Sequence, residues 1–223
     1  MAVTDGVRVV TQPPLTDTAV VQVLPVSLTQ YPVTDQYQSD VTQLRLTWLG
    51  FQDPAGIDSY QVVVDGPGLQ LRRRVPSYND IRNFMSISNL QLIEGSYNIS
   101  VTAINLLKKQ SKPVSTDVII VTKKPTVNAN RTIEYNWDKS MRSLTLTWEA
   151  IFKSAHPVYY EVSVGNLQGA ADVVQWQETK ATRMTFSVPR PSYADTKQIV
   201  VTVRSINPGG CFSDATVEAF LTF

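Results

Sequence analysis

"GSYNISVTAIN", residues 95–105, decides how this chain folds. Taken alternately, Tyr97, Ile99, Val101 and Ala103 form an apolar series, and Asn98, Ser100 and Thr102 a polar one. A period of two marks a β-strand with one wet face, because successive side chains leave a strand on opposite sides. Asn98-Ile99-Ser100 also fits the N-glycosylation pattern, with Asn98 on the polar side, which should face solvent or a neighbouring module.

The same text recurs further along the chain. "LRLTW" at Leu44–Trp48 returns as "LTLTW" at Leu144–Trp148, and Tyr60 to Val64 in "SYQVVVDG" returns as Tyr160 to Val164 in "YYEVSVGN". "SVTAIN", ending at Asn105, returns in "VVTVRSIN", ending at Asn207. Elements that keep their order and spacing indicate a duplicated unit. The ends fit the same scheme, since "TDGVRVVTQPP" (Thr4 to Pro14) resembles "STDVIIVTKKP" (Ser115 to Pro125). Residues 1–11 therefore read as the tail of a preceding module, and the chain as two units of a longer array, 1–123 and 124–223, with Met1 an expression start.

Between these markers short runs of Val, Ile, Thr and Tyr alternate with polar residues, and no stretch keeps a helical period. "DPAG" at Asp53–Gly56 places Asp, Pro and Gly where a type I turn takes them. Leu44, Leu46 and Trp48 share one parity, as do Tyr60, Val62 and Val64. Strands with one wet face imply antiparallel sheets packed face to face. The expected fold is all-β, two tandem seven-stranded antiparallel sandwiches end to end.

Composition sets the outer bounds. With 223 residues and 43% hydrophobic content, a sizeable core can be buried in one or two domains. The net charge of +1 gives no field that would favour nucleic acid or an anionic membrane. No apolar run reaches the roughly 18 residues of a membrane helix, and "MAVTDGVRVV" lacks the layout of a signal peptide. Cys211 is the only cysteine, which excludes an internal disulfide and a cysteine-cluster zinc site.

These residues resemble fibronectin type III modules. That family carries a Trp on the second strand, a Tyr on the third, and Leu, Gly, Tyr and Asn leading into and along the sixth; here they are Trp48, Tyr60, Leu90, Leu92, Gly95, Tyr97 and Asn105. "WLGFQDPAGIDSY" and "LQLIEGSYNISVTAIN" are similar to a variant found in arrays of large animal extracellular proteins. Module two keeps Trp148, Tyr160 and Asn207 but has Ile199 in place of Tyr97 and "AIFKSAHPV" in place of "GFQDPAGI". The resemblance implies a tyrosine corner, a hydroxyl tied back to nearby backbone, in module one alone. Trp48, Tyr60, Tyr97, Trp148 and Tyr160 are thus expected in the core, against the alternative of an exposed carbohydrate-stacking indole.

Catalytic patterns are missing: the sequence has no GxSxG, GxxxxGK or HExxH. His156, the sole histidine, sits in the turn-like "KSAHPV", and Cys211 follows "NPGG" with no base beside it in sequence. Asp53 with Asp58, and Asp35 with Asp40, read as loop carboxylates rather than a calcium cage, which takes about 6–8 oxygens. Neither a catalytic residue, a metal site nor a cofactor is expected. Arg72, Arg73 and Arg74 offer a polyanion patch for glycosaminoglycan, or else charges that keep an edge strand from pairing. A second sequon, Asn130-Arg131-Thr132, lies just after Pro125.

The sequence thus points to a non-catalytic extracellular tandem that acts as spacer, adhesion or assembly element, with protein modules as partners and without nucleic-acid binding or membrane insertion. "VIIVTKKPTV" joins the modules with no Gly/Ser stretch, so a stiff rod is expected. Accessory modules of a secreted enzyme and an intracellular scaffold are the alternatives.

Overall fold

The computed structural model describes residues 12–78, 83–189 and 196–223. The expected tail at residues 1–11 lies outside them. The described chain forms two compact units: one runs through Leu28 and resumes over Val33–Thr122, and the other comprises Thr29–Pro32 and Lys123–Phe223. The sequence reading set the break one residue later and gave Thr29–Pro32 to the first module.

The first unit contains β1 (Val20–Val23), β2 (Tyr37–Gln38), β3 (Leu44–Leu49), β4 (Ile57–Gly66), β5 (Leu69–Pro76), β6 (Asn83–Ile87), β7 (Gly95–Asn105) and β8 (Val114–Ile120). One sheet has the order β1-β3-β6 and the other β2-β8-β7-β4-β5. All pairs are antiparallel except β2 with β8, which run parallel, Tyr37 opposite Ile119 and Gln38 opposite Ile120. Seven strands make the sandwich, and β2 is an eighth that the alternation of residues did not reveal.

The second unit contains β9 (Thr126–Val127), β10 (Glu134–Asp138), β11 (Ser143–Thr147), β12 (Phe152–Lys153), β13 (Tyr159–Gly165), β14 (Val174–Thr179), β15 (Arg183–Ser187), β16 (Thr196–Ile206) and β17 (Phe212–Thr222). Its sheets are β10-β11-β15 and β14-β13-β16-β17, with β9 and β12 forming a separate two-stranded pair.

Each unit closes its own core, and the alternating residues build it. Leu44, Leu46 and Trp48 from the first sheet meet Tyr60, Val62, Val64, Tyr97, Ile99 and Val101 from the second. In the other unit Leu144, Leu146 and Trp148 meet Tyr160, Val162, Val164, Ile199, Val201 and Val203. Each indole is 1% exposed and meets its tyrosine edge-on, Trp48 to Tyr60 at 5.4 Å and Trp148 to Tyr160 at 5.7 Å between centroids. The alternative of an exposed stacking platform does not hold for either ring.

Asp40 is a buried carboxylate of the first unit. Its Oδ1 accepts from the Thr42 N–H and hydroxyl, and its Oδ2 from Gln43 Nε2, each at 2.7 Å. Burial alone would raise its pKa, but the bonds from Thr42 and Gln43 outweigh that and hold it below the usual carboxylate range. A carboxyl depressed in the fold stabilises it above the unfolded pKa, about 3.9, and that stability is lost as pH falls through the folded value. Asp40→Asn is therefore expected to cost about 1–3 kcal/mol at neutral pH. In urea melts the gap between variant and parent should narrow toward pH ~2, below both pKa values; a pH-independent gap would count against this account.

Candidate functional site

The polar residues singled out by the repeat are used to fix loops. At the end of β7, Asn105 Oδ1 accepts the Lys109 N–H at 2.8 Å and Nδ2 donates to Asp53 Oδ2 at 3.1 Å. Asp53 Oδ1 in turn accepts the Ala55 N–H at 2.7 Å, and its carbonyl accepts from the Gly56 N–H, closing the DPAG turn. Just past β16, Asn207 Oδ1 accepts from the N–H groups of Gly209 and Cys211, and Nδ2 donates to the Lys123 carbonyl at 2.7 Å. Equivalent amides thus pin the last hairpin of both units. The Tyr97 hydroxyl donates to the Pro67 carbonyl at 2.8 Å and accepts the Ile93 N–H at 3.0 Å, whereas Ile199 at the matching place is simply buried.

The sequons stand on the surface. Asn98 is exposed on β7, between Asp65 of β4 and Asp117 of β8 in register, and its Nδ2 donates to Asp117 Oδ1 at 2.8 Å. Asn130 is exposed in the turn before β10, its N–H on Asn128 Oδ1 at 3.1 Å.

Arg72, Arg73 and Arg74 are exposed on β5, which among the described strands pairs with β4 alone. The pleat sends Arg72 and Arg74 to one face and Arg73 to the other. Arg74 is also held by Asp58 at 2.8 Å, which Lys108 approaches at 3.1 Å, so the triplet does not present three like side chains together. Asp35, by contrast, lies with Asp117, Gln22 and Leu24 along a groove of about 410 Å³ beside β1 and β8. Among the described residues no group of three His, Cys, Asp or Glu side chains could hold a metal ion.

One cluster escaped the sequence reading. On the outer side of the four-stranded sheet of unit two, Arg204 lies over Phe212 (4.4 Å), Trp176 (4.7 Å) and Tyr31 (5.7 Å to the centroid). Its Nε and Nη2 bind the two oxygens of Asp214 at 2.7 and 2.8 Å, and Nη1 donates to the Tyr31 hydroxyl, which donates to Glu161 Oε2 at 2.8 Å. The Asp214 bonds raise the arginine's pKa. Tyr159 nearby is pushed up to about 12, by burial first and then by Glu161 and Glu178. Parity signalled only part of it: Arg204 falls in the polar series of "VVTVRSIN", but Trp176 shares the parity of the core residue Val174, and an irregularity in register between Val162 and Val164 of β13 separates the two. A cation with three aromatic faces and a bidentate carboxylate is a rigid, satisfied unit.

No protein-family model matches the sequence, and comparison with curated proteins finds no match. Solved structures do match. The fibronectin(III)-like modules of CbhA from Clostridium thermocellum superpose with a TM-score of 0.51 at 11% identity, over 91% of this chain and 94% of that one. The FN1–FN3 domains of chicken CNTN1 give 0.48 at 14% identity, over 89% of this chain and 69% of that one. The strand order, the two indole-centred cores and this likeness agree: the chain has the fold of tandem fibronectin type III-like modules.

Proposed function

We propose that this chain is a non-catalytic, extracellular tandem serving as spacer, adhesion or assembly element. One observation carries the reading. The polar groups that an active site would draw on are engaged with their own unit: Asn105, Asn207, Tyr97 and Asp40 hold loops, and Arg204 is locked between rings and Asp214. What remains for function is surface.

The test of the spacer role is mechanical. Pulling single molecules by their termini should give two separate unfolding steps, each releasing about 30 nm of chain at roughly 3.5 Å per residue. Extension without force peaks, or in one merged step, would contradict it.

The extracellular home rests on the exposed Asn98 and Asn130. Secretion from animal cells is expected to add one N-glycan at each, read by intact mass, with Asn98→Gln and Asn130→Gln each removing one. Fully unmodified secreted protein would count against this home.

A further inference from the structure

The two units differ at one edge. In the first, residues 24–43 between β1 and β3 carry β2, which covers the outer edge of β8. The Ile119 N–H donates to the Gln36 carbonyl at 2.7 Å and the Val121 N–H to the Gln38 carbonyl at 2.9 Å. In the second unit β10 and β11 are joined by residues 139–142 alone, and nothing among the described residues corresponds to β2. Among the described residues strand β17 therefore ends its sheet; β9 lies beside its start, where the Ser213 hydroxyl donates to the Pro125 carbonyl, but does not pair with it.

The matching positions are fixed by the cores. Val118 and Ile120 of β8 correspond to Ala219 and Leu221 of β17, all fully buried. Ile119 then corresponds to Phe220, Val121 to Thr222 and Asp117 to Glu218. Ile119 pairs with Tyr37 of β2 and is half-buried, whereas Phe220 is 64% exposed. Trp137 takes the Thr222 carbonyl at 2.7 Å, a group whose counterpart is not among the donors or acceptors of the two bonds just described. A long strand edge with an exposed aromatic side chain is a template for another strand.

We propose that the edge of β17 over Glu218–Thr222, which no described strand covers and on which the Trp137 indole takes only the Thr222 carbonyl, binds an extended peptide segment, laid parallel as β2 lies on β8, with a Lys or Arg facing Glu218. The charge follows from the edge itself. Strand β17 carries Asp214 and Glu218 and no Lys or Arg; Asp214 is taken by Arg204, while Glu218 is exposed and, among the described residues, bound by Gln198 alone. In the first unit the residue two before Tyr37 is Asp35, which shares a groove with Asp117. A cation at that place would meet Glu218 with the opposite sign. This edge goes beyond the spacer role: a tandem can bear load with its edge empty, or bind there and be mechanically weak.

The probe is a synthetic peptide with the sequence of residues 33–39 carrying Asp35→Lys, titrated into the 15N-labelled chain to about 5 mM, where short single-strand contacts of roughly −4 kcal/mol register. Amide shifts should grow at Glu218–Thr222. Glu218→Lys, on the surface and expected to leave the rest of the spectrum in place, should weaken that peptide at least about fivefold and favour the unaltered Asp35 peptide instead. Shifts that are absent at Glu218–Thr222, that map elsewhere, or that ignore both charge exchanges would overturn the proposal.

Discussion

Trp48→Ala is expected to unfold the first sandwich at far lower denaturant while the second keeps its own transition. The indole is 1% exposed and fills the space between the sheets beside Tyr60, which Phe51 also meets edge-on at 5.6 Å. Truncating such a ring costs about 3–5 kcal/mol, a large part of the roughly 5–15 kcal/mol that holds a domain folded. Its buried N–H meets no acceptor among the described residues, so the expected loss is one of packing rather than of a hydrogen bond. The second core shares no member with the first, and Trp148 keeps its contacts with Tyr160. Trp148→Ala should give the mirror image. Near-ultraviolet dichroism and calorimetry of both variants would show it, and joint loss of both transitions would contradict separate cores.

Gly50→Ala should cost a comparable amount by another route. Gly50 follows β3 with φ +84°, and an added Cβ would stand 1.9 Å from the Thr18 carbonyl oxygen and 2.6 Å from its carbon. Those are backbone atoms, tied further by the Thr18 hydroxyl, which donates to the Gly50 carbonyl at 2.9 Å. The chain leading into β1 must therefore move. The left-handed backbone alone costs about 1–2 kcal/mol for a residue with a Cβ, and the clash should bring the total to roughly 3–5 kcal/mol. Gly169→Ala is the control, with φ +73° and nothing within 4 Å of its added Cβ. It should lose only the conformational part, about 1–2 kcal/mol. Equal losses in urea melts would show that the contact with Thr18 does not matter.

Core and architecture were legible because parity is local. The side chains of Tyr97, Ile99 and Val101 point inward as their alternation required, and the returns at Trp148, Tyr160 and Asn207 placed a second unit with the same interior. What parity cannot carry is pairing between distant segments. Strand β2 spans two residues within a stretch containing Pro25 and Pro32, and it exists because Gln36 and Gln38 offer carbonyls to β8. The β9 and β12 pair is equally short. The Arg204 cluster depends on register across β13, β16 and β17, which sets Glu161, Arg204 and Asp214 in one row. The basic run showed the reverse limit: three adjacent arginines look like one patch in sequence, yet the pleat divides them and Asp58 engages Arg74.

That the chain holds two separately closed interiors is tested most directly by amide hydrogen exchange of the intact protein, under conditions where each opening is followed by complete labelling. Peptides from β3 and β7 should then shift in mass together and independently of those from β11 and β16, so that half-labelled molecules accumulate. A single concerted shift, with fully protected and fully labelled molecules and none between, would contradict the account.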